Sequence, residues 1–236
     1  FGGVPLKNGQ INQGGTGKHI QRQRVLEARQ AGIEFVNISP LQEDMLDDLG
    51  AQWMAIRPNT DTALILGLCY VLLNEGLHNK EFLASHCTGF DRFADYLTGT
   101  ADGQPKTPQW AAAICDLAPE AITSLARNMA SRPTMISLSW SLTRQAYGEQ
   151  PIWAGIVLAA MLGQIGLPEI QSPAQIGEDP MSVKHIMKAD GNAQRQINEK
   201  AESTNDDNDD LKHNKRKDDD GRDSSDVNNI EIVELT

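Results

Sequence analysis

The 236-residue chain carries 21 Lys and Arg against 32 Asp and Glu, a formal charge of −11, with 39% hydrophobic residues and three cysteines. That length supports one domain, or two small ones, around a sizeable core. The acidic balance argues against a nucleic-acid backbone as partner, which demands clustered Lys and Arg, and the scattered Cys69, Cys87 and Cys115 argue against a disulfide framework or a metal-thiolate cluster.

The charge is uneven. From Glu169 to Thr236, 9 Lys and Arg stand against 17 Asp and Glu, so most of the negative excess lies in the last quarter. The chain opens at Phe1 without a basic n-region or an apolar h-region, and no targeting signal is expected there. A cytoplasmic location is expected, with the periplasm as the alternative.

Residues 1–17 hold six glycines and no sustained periodicity, which reads as loop. Gly14-Gly15-Thr16-Gly17-Lys18 imitates a phosphate loop, but Asn12 and His19 stand where that motif needs Gly and Ser or Thr. Ile20, Val25, Leu26 and Ala28 predict a surface helix over 18–31, ended by Gly32. Ile33 to Ile38 follows as a strand, stopped by Ser39-Pro40 because Pro lacks the N–H that a ladder needs.

Ala51 to Arg57 is a second short strand closed by Pro58-Asn59, and Thr60 or Asp61 then caps a helix running to Gly76. Short helices are expected over 79–86 and 107–114. A better one spans 119–130, where Ile122, Leu125, Ala126 and Met129 recur at helical spacing behind Pro119. A strand from Met135 to Leu138 empties into a polar loop over 139–150, and a long apolar helix follows.

The runs Thr62 to Leu73 and Ile152 to Leu167 are at or below the length that crosses a bilayer. They read as buried helices, with no membrane insertion. The order of elements predicts a three-layer α/β domain over residues 1–168. Residues 203–226 hold a single large apolar side chain, Leu211, and predict disorder within a charged segment over 169–236. The closing Ile230 to Leu235 could add a strand.

In open α/β sheets a ligand sits beyond the carboxyl ends of the strands. Asn37 and Ser39, with Ile38 and Pro40, fall at one such end. Each polar side chain could bind a ribose or base, or satisfy local turn amides. Asp61, behind Pro58 and Asn59, could accept both the N1–H and the N2 amino donors of guanine. On residue type alone it reads first as a complement to the helix dipole.

Trp140 offers a stacking face and Arg144 a planar fork for phosphate, against the alternative of a packing Trp and a surface Arg. Glu149 and Gln150 open the last helix. The five His are scattered and no nucleophile and base lie together, so no catalytic or metal-ligating residue is assigned.

Together, VNISP at Val36 to Pro40, IRPNTD at Ile56 to Asp61, DGQPKTPQWAAAIC at Asp102 to Cys115, SWSLTRQAYGEQ at Ser139 to Gln150 and LAAMLGQIGLP at Leu158 to Pro168 form a recognisable set. The sequence over about 1–168 resembles the molybdopterin oxidoreductases of the dimethyl sulfoxide reductase family, most of all their biotin sulfoxide and trimethylamine N-oxide reductase branches. The resemblance implies an enzyme that reduces an S-oxide or N-oxide with electrons from a donor. Its cofactor would be molybdenum held by two molybdopterin guanine dinucleotides, without an iron–sulfur cluster in this chain.

It also implies that Asn37, Ile38, Ser39, Pro40, Pro58, Asn59 and Asp61 hold a guanosine end, and that Ser139, Trp140, Arg144 and Gln150 lie against a pterin dinucleotide. The resemblance stops at Pro168. The chain is therefore expected to be an internal piece of a reductase within a Rossmann-like fold, inactive alone. The alternative is a non-catalytic nucleotide-binding or interaction module with an acidic tail.

Overall fold

The computed structural model describes residues 1–6, 20–166 and 230–231. The glycine-rich run at 7–19, with its near-miss phosphate loop, lies outside the described residues, as do the charged segment at 167–229 and residues 232–236.

The fold is helix-rich around a small sheet. Helix α1 (Gln21–Gln30) leads to β1 (Val36–Ile38), and two short 3₁₀ turns (Gln42–Asp44 and Asp47–Leu49) lead on to β2 (Gln52–Met54). The strands pair in parallel, with Val36 opposite Gln52, Asn37 opposite Trp53 and Ile38 opposite Met54. Both are shorter than the branched side-chain runs suggest, with Ile33 to Phe35 and Ala55 to Arg57 outside them, although Phe35 O still accepts the Gln52 N–H at 2.9 Å. Helices α2 (Asp61–Asn74), α3 (Lys80–His86), α4 (Phe90–Thr98), α5 (Pro108–Cys115), α6 (Pro119–Ser131) and α7 (Gln150–Leu162) follow.

Helix α2 organises the core. Its residues from Ala63 to Cys69, with Val71 and Leu72, are buried, and a helix apolar on all sides must be enclosed. Helices α5, α6 and α7 all pack against it. Helix α6 buries Ile122, Leu125, Ala126 and Met129 as their spacing predicts. At Gly67 the backbones of α2 and α5 come so close that an added Cβ would stand 2.7 Å from Ala111 Cβ. Cys69 is a fully buried apolar side chain in this core, and burial pushes its thiol pKa well up.

Sequence-readable caps fix several starts. The Thr107 hydroxyl accepts the Trp110 N–H at 3.1 Å ahead of Pro108, and Asn79 Oδ1 accepts the Phe82 N–H at 2.9 Å. Among the described residues no helix is long and apolar enough to cross a membrane. A separate small cluster of Val25, Ile33, Phe35 and Leu49 seats α1.

The segment from Met135 to Leu138 is not a regular strand, which corrects the sequence reading. Among the described residues its main-chain partners are the chain's first residues. Phe1 N donates to Ser137 O at 2.7 Å and Ser139 N donates to Phe1 O at 2.9 Å. Gly2 N in turn donates to Ile38 O at 2.9 Å. Residues 1–2 thus lie between β1 and the 135–139 segment, and Gly155 of α7 backs that segment closely, since a Cβ there would fall 2.5 Å from Leu138 Cδ1. A two-residue strand β3 (Cys87–Thr88) pairs in parallel with β4 (Ile230–Glu231), within the closing run that could add a strand.

Candidate functional site

The parallel pairing of β1 and β2 sends both carboxyl ends to one side of the sheet. There Ser39 N donates to Met54 O at 3.3 Å, and Trp53 Nε1 donates to Ser39 O at 2.9 Å. Ser39 is fully buried, and its hydroxyl is bonded to the Asp44 carboxylate. Ile38 belongs to the core, whereas Pro40 is exposed at the start of the loop.

Asn37 is 2% exposed. Its Nδ2 donates to Gln42 O at 3.2 Å, yet its Oδ1 has no partner among the described residues. Buried polar atoms are nearly always paired, so this acceptor invites a donor.

The second acceptor stands at the start of α2. Pro58 and Asn59 are exposed, with Asn59 in the left-handed region at φ 64°, and Thr60 is the N-cap residue. The Thr60 hydroxyl does not cap the helix, because it donates back to Arg57 O at 2.6 Å. Asp61 is 4% exposed and its Oδ1 has no partner among the described residues. Burial raises its carboxyl pKa above the ordinary range, opposed by the Phe1 amine and by the Asp61 amide. The same burial lowers the Phe1 amine to about 6, with Asp61 opposing.

The other half of the site is the loop after Leu138. Ser139 caps a 3₁₀ turn (Trp140–Thr143), its Oγ accepting the Ser141 N–H at 3.3 Å. Leu142 is the buried side chain of this turn, while Trp140 is 44% exposed. Leu142 is therefore the side chain of this turn that packs into the core, and the Trp140 indole is partly exposed. Arg144 is exposed, and its guanidinium has no ion-pair partner among the described residues. Gln150 is half-buried as the first residue of α7.

The structure brings these two groups together indirectly. No hydrogen bond among the described residues joins the side chains of Trp140, Arg144 or Gln150 to Asn37 or Asp61. Phe1 and Gly2 mediate between them, and at Gly2 an added Cβ would lie 2.8 Å from Ser139 Cβ.

One polar group was not singled out from the sequence. Ser137 is 7% exposed and its hydroxyl has no partner among the described residues. The alternation of buried Met135 and Ser137 with half-buried Ile136 and Leu138 carries that signal. Chemically, Asn37 Oδ1 and Asp61 Oδ1 form an acceptor-rich floor suited to a ligand edge bearing N–H groups. A partly exposed indole and a guanidinium without an ion-pair partner among the described residues suit a ring face and a phosphate. Among the described residues no group of three or more His, Cys, Asp or Glu is placed to hold a metal ion.

The family model described as molybdopterin oxidoreductase matches residues 14–229, beyond the Pro168 limit of the sequence resemblance. A biotin sulfoxide reductase of Cereibacter sphaeroides is 40% identical over 168 residues, which is 71% of this chain and 23% of that protein. A dimethyl sulfoxide/trimethylamine N-oxide reductase of the same organism is 46% identical over 140 residues, 59% of this chain and 17% of its own length. A trimethylamine-N-oxide reductase of Haemophilus influenzae is 42% identical over 58% of this chain and 17% of its length. This chain thus spans about a fifth of these relatives. Among solved structures, acetylene hydratase from Pelobacter acetylenicus superposes with a TM-score of 0.55 at 24% identity over 63% of this chain and 20% of that one, a likeness of fold.

Proposed function

The chain belongs to the molybdopterin oxidoreductase family, and from that premise we propose that it is part of a molybdenum-dependent S-oxide or N-oxide reductase. Its task there is to hold a guanosine end of a bis(molybdopterin guanine dinucleotide) cofactor, within a Rossmann-like three-layer α/β domain. The substrate is a small S-oxide or N-oxide, in keeping with the names of the relatives, and a separate donor supplies electrons.

The observation that carries this reading is the buried Asp61 Oδ1, at the start of the helix after β2, which has no partner among the described residues. A carboxylate in that position fits the paired N1–H and N2 donors of guanine, and such charge-assisted bonds are the strong ones. Asn37 Oδ1 offers a second acceptor, and Ser39, locked by Asp44, fixes the loop through Pro40. Pro58 and Asn59 shape the approach to Asp61. Ser139 positions Trp140 for stacking, Arg144 meets a phosphate, and Gln150 orients the start of α7.

When bound, the molybdenum–pterin group supplies acceptance of an oxygen atom from the substrate. The residues of this chain bind and orient the cofactor. The test is to purify the full-length gene product and assay molybdenum, oxidised pterin fluorescence and released guanine nucleotide. All three are expected, and the absence of molybdenum and pterin overturns the assignment. The isolated 236-residue chain is expected to give no turnover with reduced viologen as donor.

A further inference from the structure

Helix α5 ends directly against the loop that delivers Asp61. Cys115, its last residue, is fully buried. Its thiol donates to Thr60 O at 3.4 Å, while its own carbonyl accepts the Arg57 N–H at 2.9 Å. Asp116 follows in the left-handed region at φ 62°, and its carboxylate stands 3.7 Å from the Arg57 guanidinium.

The Thr60 carbonyl is shared: Leu64 N, in the first turn of α2, donates to it at 3.1 Å. The Thr60 hydroxyl closes the same loop onto Arg57 O. Residues 57–60 are therefore gripped at both ends by the C-terminus of α5, with exposed Pro58 and Asn59 between the grips. Asp61 is the next residue. Because its Oδ1 touches no protein donor among the described residues, the backbone of this loop sets where the carboxylate points.

We propose that Cys115 is the positioning residue of Asp61, its thiol fixing the Thr60 carbonyl and so the direction of the carboxylate toward a guanine edge. The proposal rests on the guanosine reading given above. A thiol suits the task because it packs as a small apolar group yet retains one weak donor. Burial, and the Asp61 charge beside it, raise the Cys115 pKa, which keeps the proton on sulfur where the donation needs it. Valine would match the volume without the donor, and serine would keep a donor.

The test uses the full 236-residue chain with GDP as probe, together with amide hydrogen exchange. In Cys115→Val the amides of Asn59, Thr60 and Asp61 are expected to exchange at least 5-fold faster, and GDP binding to weaken about 3- to 10-fold. Cys115→Ser is expected to restore both to within about 2-fold. Should Cys115→Val show no cooperative melt, Cys115→Ala, which lacks the donor without added bulk, serves in its place. Wild-type exchange and GDP affinity in the donor-less variant would overturn the proposal. If GDP fails to bind wild type, or binds Asp61→Asn equally well, the guanosine reading falls, and the exchange rates alone decide whether Cys115 positions the loop.

Discussion

Asp61 buries a carboxylate oxygen that has no partner among the described residues, and its effect on stability follows from the direction of its pKa. In the unfolded chain the group ionises near its ordinary value of 3.8, whereas burial raises it in the fold. The fold therefore loses stability as pH climbs from the unfolded value through the folded one, and the loss is complete above that window. Asp61→Asn is expected to have a higher urea midpoint than wild type at neutral pH and an equal one at acid pH below both values. In the same variant GDP affinity should fall about 10- to 100-fold, the worth of a charged hydrogen bond, which separates the binding role from the folding cost. Arg144→Gln, at an exposed site, should change stability by less than about 0.5 kcal/mol while weakening any phosphate-bearing ligand. Lys106 is the opposite case, 2% exposed, with Nζ at 2.5 Å from both Asp102 Oδ2 and Gln104 O and 4.0 Å from the Tyr96 ring centre. Lys106→Met keeps the stem and removes those contacts, at an expected cost of about 1–3 kcal/mol by denaturant titration. For Asp61 the sequence offers two readings, a complement to the helix dipole and an acceptor for guanine, and residue type alone favours the first; only the family resemblance points to the second. Ser137 and Cys115 were not legible, since a hydroxyl and a thiol gain their meaning from burial and from neighbours distant in sequence.

At the level of elements, the crossing of α2 and α5 pits two effects against each other at Gly67. Alanine there would improve helix propensity by about 1 kcal/mol, but its Cβ would meet Ala111 Cβ at 2.7 Å in a packed interior. Overpacking costs about 1–3 kcal/mol, so Gly67→Ala should destabilise by about 1–2 kcal/mol in a thermal or urea melt. Helices announced by a cap or by Pro, such as α5 and α6, could be read from the sequence to within a residue or so. Helix α4 could not, because it starts from Gly89 in the left-handed region with no side-chain cap and buries only Phe93 and Leu97. Met135 to Leu138 has strand composition, but composition does not supply the neighbour that makes a ladder. The residues that flank it come from the other end of the described chain.

On the scale of the molecule the described residues form two apolar clusters, a large one built on α2 and a small one of Val25, Ile33, Phe35 and Leu49. Regions with few buried contacts open at lower free energy than the main core. Amides of α1 are therefore expected to exchange at least about 100-fold faster than those in the middle of α2, and equal protection would show that the small cluster is as firmly held as the core. Phe1, itself part of the large cluster, and Gly2 form a splice that bonds to Ser137, Ser139 and Ile38. Among the described residues no main-chain hydrogen bond joins residues 36–61 directly to 135–150, so these few bonds act as a ruler. They set the span between the acceptor floor at Asn37 and Asp61 and the partly exposed indole of Trp140. On the proposed reading, a ligand long enough to touch both ends is measured by that span, and one shorter or longer must choose an end.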